Sequence, residues 1–212
     1  MRSLETTTRP LASADDLARL RDRIERIERT TRIGSSARVL PAPPAIERLL
    51  PDRGLRRGSA YALDRSMPLL TSLLAEPSRA GTWCAVVGMP EFGVENAIEM
   101  GVDLDRLVLV PHPGERWLGV VAALAEVIGV VALRPGGRVR DSDAARLAAR
   151  LREREAVLLV QGPWPQAEAT IAAEHVAWSG LGDGHGYLDR GRMTISVRAR
   201  RAVARTSLAA VG

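Results

Sequence analysis

Hydrophobic positions change character along this chain. Between Ser59 and Val160, short unbroken apolar runs alternate with stretches of helical period. The runs Ser59–Leu63, Thr82–Val87, Arg106–Val110, Val130–Leu133 and Ala156–Val160 are too short for helices. They show no apolar–polar alternation, which is the pattern of strands buried on both faces of a parallel sheet. Between them, Pro68 opens a helix over Met67–Glu76 and a shorter helix runs to Met100. Trp117, Val120, Val121, Leu124, Ala125 and Ile128 mark the inner face of a helix from about Glu115. Ser142 caps another, with Ala144, Leu147, Ala148 and Leu151 facing inward. The expected class is α/β, with a mostly parallel central sheet flanked by helices.

Both ends depart from this alternation. Near the start, Ser13 and Asp16 form a weak capping box, and Leu17, Leu20, Ile24 and Ile27 follow as one narrow apolar seam among arginines and acids. Two readings stand: a helix that binds a partner or a second copy, or an arm packed on its own domain. Val39–Ala45 reads as an extended linker stiffened by prolines, and Ala45–Leu50 as a brief helix. Towards the end, Ile171–Trp178 and Met193–Val197 carry strand signals with the turn-rich Gly180–Gly186 between them, expected as antiparallel additions at the sheet edge. The expected organisation is a helical arm over 1–34, a proline-containing linker over 35–53, a core over 54–201 and a flexible tail over 202–212.

Composition adds few constraints. Apolar residues make up 46% of the 212 positions but aromatics only 3%, so the core must be built from Ala, Val, Leu and Ile. All 30 basic residues are arginine. Six of them lie between Arg190 and Arg205, which suits nucleic acid or an acidic partner and equally suits an edge strand protected by charge. No apolar run approaches the ~20 residues that span a bilayer, and the expected compartment is the cytoplasm. Cys84, inside an apolar run, reads as a small core residue.

The stretch from Gly58 to Gly81 has the strand–turn–helix wiring of a phosphate-binding loop. Its turn, Leu63-Asp64-Arg65-Ser66-Met67-Pro68, has neither glycine nor lysine. A phosphate loop needs glycines so that backbone amides can wrap the anion, and a lysine to reach the outer phosphates. Asp64 would repel phosphate, and the arginine fork of Arg65 does not replace a lysine. A helix N-terminus alone offers about half an elementary charge. The degenerate loop Asp64, Arg65, Ser66 is therefore expected to bind no nucleotide.

A second element is missing as well. In an ATPase of this wiring a later strand ends in a carboxylate that holds Mg²⁺, whereas the strand at Val130 ends in Leu133 and Arg134. Glu91 lies where a water-activating glutamate could stand, but without phosphates it reads as a loop acid. Gln161, after the strand at Ala156, reads as a switch residue or, more plainly, a surface amide. His112, His175 and His185 share no ligand spacing with each other or with Cys84, so no zinc site is expected. No catalytic residue, cofactor or metal is expected.

Gly81-Thr-Trp-Cys-Ala-Val-Val-Gly88 and Gly101-Val-Asp-Leu-Asp-Arg-Leu107 resemble the corresponding strand and turn of bacterial RecA-type recombinases. Arg57-Gly58 resembles the entry to their phosphate-loop strand, and Val160-Gln161 the junction before their DNA loop. The resemblance covers about Gly54 to Arg201. It implies a RecA-like core without ATPase motifs: the loop is shortened, the lysine is absent, and the metal carboxylate falls near Leu133. The register at Glu91 is off by one, so the catalytic glutamate is not carried over. Gly162-Pro-Trp-Pro165 is too short to match the recombinase DNA loop.

A shortened RecA-like chain of this pattern is similar to the ImuA-type accessory proteins of actinobacterial translesion mutagenesis cassettes. That similarity implies a non-catalytic adaptor in the SOS DNA-damage response. Its partners would be an inactive Y-family-polymerase-like protein and, indirectly, an error-prone replicative-type polymerase. Expected contacts are Leu17, Leu20, Ile24 and Ile27, followed by Arg198, Arg200 and Arg201. Homo-oligomers and weak DNA contact stay open. The competing reading is a single-strand DNA-binding modulator of recombination, against which the low aromatic content counts.

Overall fold

The computed structural model describes residues 38–179, 190–199 and 202–210. The seam Leu17, Leu20, Ile24 and Ile27, together with Arg200, Arg201 and His185, lies outside these residues.

Five short apolar segments form the parallel heart of the sheet. They are β3 (Ala60–Leu63), β4 (Cys84–Val87), β5 (Leu107–Val110), β6 (Val130–Leu133) and β7 (Val157–Gln161). Every residue of β3, β4, β6 and β7 is buried, as their lack of alternation predicts. The order across the sheet is β10-β9-β8-β3-β7-β6-β4-β5, with β8 (Ala169–Ser179), β9 (Arg190–Ala199) and β10 (Ala202–Ala210) completing one side. Strand β8 runs parallel to β3 but antiparallel to β9. The C-terminal strands are thus not purely antiparallel additions: β8 extends the parallel sheet and then starts an antiparallel ribbon.

The segment expected as a tail is β10, paired with β9 from Ala202 opposite Ala199 to Ala210 opposite Gly191. The linker reading also needs correction. Within 35–53 the chain forms β1 (Val39–Leu40) and α1 (Pro44–Glu47), and β1 pairs with β2 (Leu55–Arg56). Leu40, Ala42, Ile46 and Leu50 are buried in the main core. Prolines at 41, 43 and 44 set the turns, and the apolar residues between them fasten the segment down.

Helices cover both faces. On one lies α2 (Met67–Arg79), whose Leu69, Leu70, Leu73 and Leu74 are fully buried. They meet Tyr61, Leu63, Cys84, Val86, Val130, Ala132, Val157 and Leu159 in one cluster. Each such leucine contributes roughly 1.5–3 kcal/mol by burial. The helix runs past its expected end at Glu76. Pro77, one turn from the C-terminus, forgoes a single intrahelical bond, and Thr82 N–H donates to its carbonyl at 2.9 Å. The short α3 (Val94–Glu99) adds Ala97 to this face.

The other face carries α4 (Trp117–Leu124) and α5 (Asp141–Arg154), burying Val121, Leu124, Ala144, Leu147 and Leu151. Helix α4 is shorter than its apolar stripe: Ala125 and Ile128 are buried beyond its end, while Trp117 and Val120 are half-buried. Arg140, not Ser142, precedes the first turn of α5. Right-handed crossovers place α2 and α3 opposite α4 and α5, because β3→β4→β5 steps one way across the sheet and β5→β6→β7 the other. Among the described residues no helix is long and apolar enough to cross a membrane.

Candidate functional site: the carboxyl ends of the central strands

In sheets of this kind ligands bind beyond the carboxyl ends of the strands, where successive connections leave to opposite faces. Here that reversal falls between β4 and β6, with β7 and β3 alongside. The residues emerging there are Asp64 after β3, Glu91 in the loop after β4, Arg134 after β6 and Gln161 at the end of β7.

The connection from β3 to α2 is only Asp64-Arg65-Ser66. Its Asp64 and Ser66 side chains are already engaged. Asp64 Oδ1 accepts from Ser66 N–H at 3.0 Å, and its Oδ2 accepts from Ala173 N–H of β8 at 2.6 Å. Ser66 caps α2 by accepting from Leu69 N–H at 3.3 Å, and Pro68 in that first turn has no N–H. Of the amides that would face a phosphate, Asp64 N–H donates to Ile171 O, Ser66 N–H to Asp64 and Leu69 N–H to Ser66, and Pro68 has none. Asp64 is thus a clasp between the loop and β8, and the three residues of the degenerate loop lie together as the sequence indicates.

Arg134 is the hub of the site. Its Nε and Nη2 donate to Gln161 Oε1 at 3.0 and 2.5 Å, and its Nη1 forms an ion pair with Glu91. The Gln161 amide donates to Met67 Sδ at 3.9 Å, which ties the group to the first residue of α2. Gln161 is only 2% exposed, so the surface-amide reading is wrong: its carbonyl is buried and both of its donors come from one guanidinium. Glu91 stays half-exposed. The adjacent guanidinium holds its carboxyl below the usual glutamate range. A fixed cation thus stands at the end of β6, bridging the ends of β4 and β7.

The ends of β4 and β6 approach closely enough to demand a particular backbone. Gly88 has φ +77°, and a Cβ there would run into the Arg134 carbonyl. Gly88 N–H donates to Val110 O and Arg134 N–H to Val87 O, each at 2.9 Å. Beside this junction an open cleft of about 680 Å³ lies over β4, β5 and β6, walled by Pro90, Pro111, Pro113, Trp117 and Arg134. Its proline and tryptophan walls suit an apolar group better than a triphosphate.

The remaining candidates lie elsewhere. Cys84 is fully buried, and burial pushes its thiol up to about 12. Tyr61 is buried, its phenol also pushed up by desolvation, and its hydroxyl accepts from Arg56 N–H at 2.7 Å. His112 lines the cleft and is exposed, and among the described residues no three His, Cys, Asp or Glu stand close enough to hold a metal ion. Arg198 is exposed on β9, across the sheet from this site. Gln161 and Glu91 were visible as polar residues ending apolar runs, but nothing in the sequence joins either to Arg134.

Residues 48–166 match the model of the MT3502 N-terminal domain, a span that takes in β3 to β7 and every residue of the Arg134 network. The chain belongs to this family. A similar protein is the uncharacterized protein Rv3395c of Mycobacterium tuberculosis (strain ATCC 25618 / H37Rv), 35% identical over 140 residues. That alignment covers 65% of each chain, so this chain spans a little under two thirds of the relative's length. Among solved structures, a crystal structure of the RadB recombinase superposes with a TM-score of 0.51 at 13% identity, covering 72% of this chain and 88% of that one. This MT3502-family domain therefore has a RecA-like core.

Proposed function

We propose that this protein is a non-catalytic adaptor with a RecA-like core, serving a DNA-damage-induced translesion synthesis complex by binding an inactive, polymerase-like partner. The observation that carries the non-catalytic part is the Arg134 network. Where a nucleotide-hydrolysing relative needs a metal and a free glutamate, this chain has a guanidinium bonded to Glu91 and Gln161. A cation fixed there opposes Mg²⁺ at close range. The loop at Asp64–Ser66, without glycine or lysine and with Asp64 and Ser66 bonded within the fold, supports the same reading from an independent element.

The adaptor part is supported by the resemblance to ImuA-type accessory proteins and by the RecA-like core, a fold whose members dock on neighbours. Leu17, Leu20, Ile24 and Ile27 are the first proposed contact, and Arg198, Arg200 and Arg201 the second. The error-prone polymerase would be engaged through the polymerase-like protein.

The test has two arms on the full-length chain. Calorimetric titration with Mg-ATP should give no heat of binding, and stoichiometric binding would overturn the non-catalytic reading. Size-exclusion chromatography with light scattering, with and without the polymerase-like protein, should give a defined heterocomplex. Replacing Leu20 and Ile24 by Asp should abolish it, and unchanged binding would remove the seam from the proposal.

A further inference from the structure

Among the described residues, strand β5 ends the sheet and pairs only with β4. Val110 O accepts from Gly88 N–H, so strand alternation turns the backbone groups of Val108 and Val110 towards β4 and those of Leu107 and Leu109 outward. The outward N–H of Leu107 is satisfied by Leu104 O in the preceding turn. The N–H and C=O of Leu109 and the C=O of Leu107 face outward with no strand beside them among the described residues.

Natural edges are usually blunted by charge, proline or a bulge. The four residues Leu107-Val-Leu-Val110 carry none of these. The exposed large hydrophobic side chains among the described residues are Ile98 at 54%, Leu109 at 43% and Leu104 at 39%. All three belong to the short stretch comprising α3, the turn entering β5, and β5 itself.

The charge around this stretch is opposite to that of the chain as a whole. Glu95, Glu99 and Asp105 are exposed and form no ion pair among the described residues. The two arginines of the corner are already engaged, Arg106 with Asp103 and Arg79 with Glu76 and the Met100 carbonyl. With Glu76 and Asp103 counted, five acids meet two arginines, in a chain whose formal net charge is +5. Such a rim repels nucleic acid, and it repels a second copy docking through the same edge.

We infer that the β5 edge is a docking site for an extended, apolar, Lys/Arg-flanked segment of a partner protein, which adds a strand through the Leu109 backbone and covers Ile98, Leu104 and Leu109. Main-chain bonds supply affinity in this mode, and the alternating side chains with the acidic rim supply selectivity. The inference rests on the adaptor reading for the identity of the partner, not for the chemistry of the edge.

The experiment has two parallel arms, each using the full-length chain and the variants Leu109→Pro and Glu95→Lys/Glu99→Lys, with thermal unfolding confirming that the variants fold. The proline removes the outward N–H and the exposed leucine side chain at 109, both parts of the proposed contact, and deletes no donor of the β4 ladder. In the first arm, binding of the polymerase-like protein should weaken about tenfold or more in both variants, roughly 1.4 kcal/mol. If the wild type binds and the variants bind equally, the edge is overturned and the adaptor reading stands.

The second arm titrates fluorescent Lys-Val-Thr-Val-Thr-Val-Lys and its glutamate-flanked twin. The lysine peptide should bind more tightly to the wild type, and Leu109→Pro should abolish that preference. Should the partner fail to bind while the peptides discriminate, the edge stands without the adaptor reading. If the peptides bind alike or not at all, the edge inference is refuted.

Discussion

Replacing Arg134 by methionine keeps most of the side-chain volume and removes every donor it supplies. The buried Gln161 carbonyl then loses both its guanidinium bonds, at 3.0 and 2.5 Å, with only 2% of the residue open to water. Leaving a buried acceptor unpaired costs about 1–3 kcal/mol, and that range is the expected loss for Arg134→Met. Glu91, half-exposed, returns to solvent. Gln161→Leu should be milder, because the substitution removes the buried amide together with its need for a partner, and Arg134, losing that acceptor, keeps Glu91.

The double variant should be more stable than the sum of the two losses predicts, by about 1–2 kcal/mol, since neither partner is then left unpaired. Urea unfolding followed by tryptophan fluorescence, with Trp164 buried at 7% exposure as a native-state reporter, gives these values. The slopes must match for the comparison to hold. Additive losses, or an Arg134→Met variant as stable as the parent, would refute the view that Arg134 holds the strand ends together.

Acid should act through the same pair. Because Arg134 lowers the Glu91 pKa in the folded state, the stability it lends is present above the ordinary glutamate pKa and is lost as pH falls through the lower folded value. Glu91→Gln should flatten that acid limb in a pH series of unfolding midpoints. Arg134→Asp, although it places a carboxylate at the end of β6, should still bind no Mg-ATP by calorimetry, because the loop has neither the glycines nor the lysine that hold phosphates. Gly88→Ala should cost about 2–4 kcal/mol in urea unfolding, combining a left-handed backbone with a collision against the Arg134 carbonyl. Cys84 should resist iodoacetamide in the native state and react fully on unfolding, since burial raises its thiol to about 12.

The βα alternation was legible because parallel strands such as Val130–Leu133 are apolar on both faces and stand out from amphipathic helices. The same property hides their order: a strand buried on both sides carries no mark of its neighbour. Strand β10 escaped notice because Ala-Val-Ala-Arg-Thr-Ser-Leu-Ala-Ala has weak β propensity and no clear period. That the loop after β3 lacks glycine and lysine is plain in the sequence. The network at the strand ends is not. Arg134 meets Gln161 at a separation of 27 residues and Glu91 at 43, and only the strand order brings those three ends together. The linker segment misled through its prolines, which signal turns and say nothing about the burial of Leu40 and Ile46 between them.

Arg134 is a cation that cannot dissociate. A bound metal and nucleotide would fill this position in proportion to their concentrations, and the geometry at the ends of β4, β6 and β7 would then follow the energy charge of the cell. A side chain occupies its position at every concentration. On the proposed non-catalytic reading, the protein has no fuel-dependent clock at this point, neither an exchange step that loads it nor a hydrolysis step that resets it. On that reading, any complex formed through this core is governed by how much of each partner is made and how fast each is degraded.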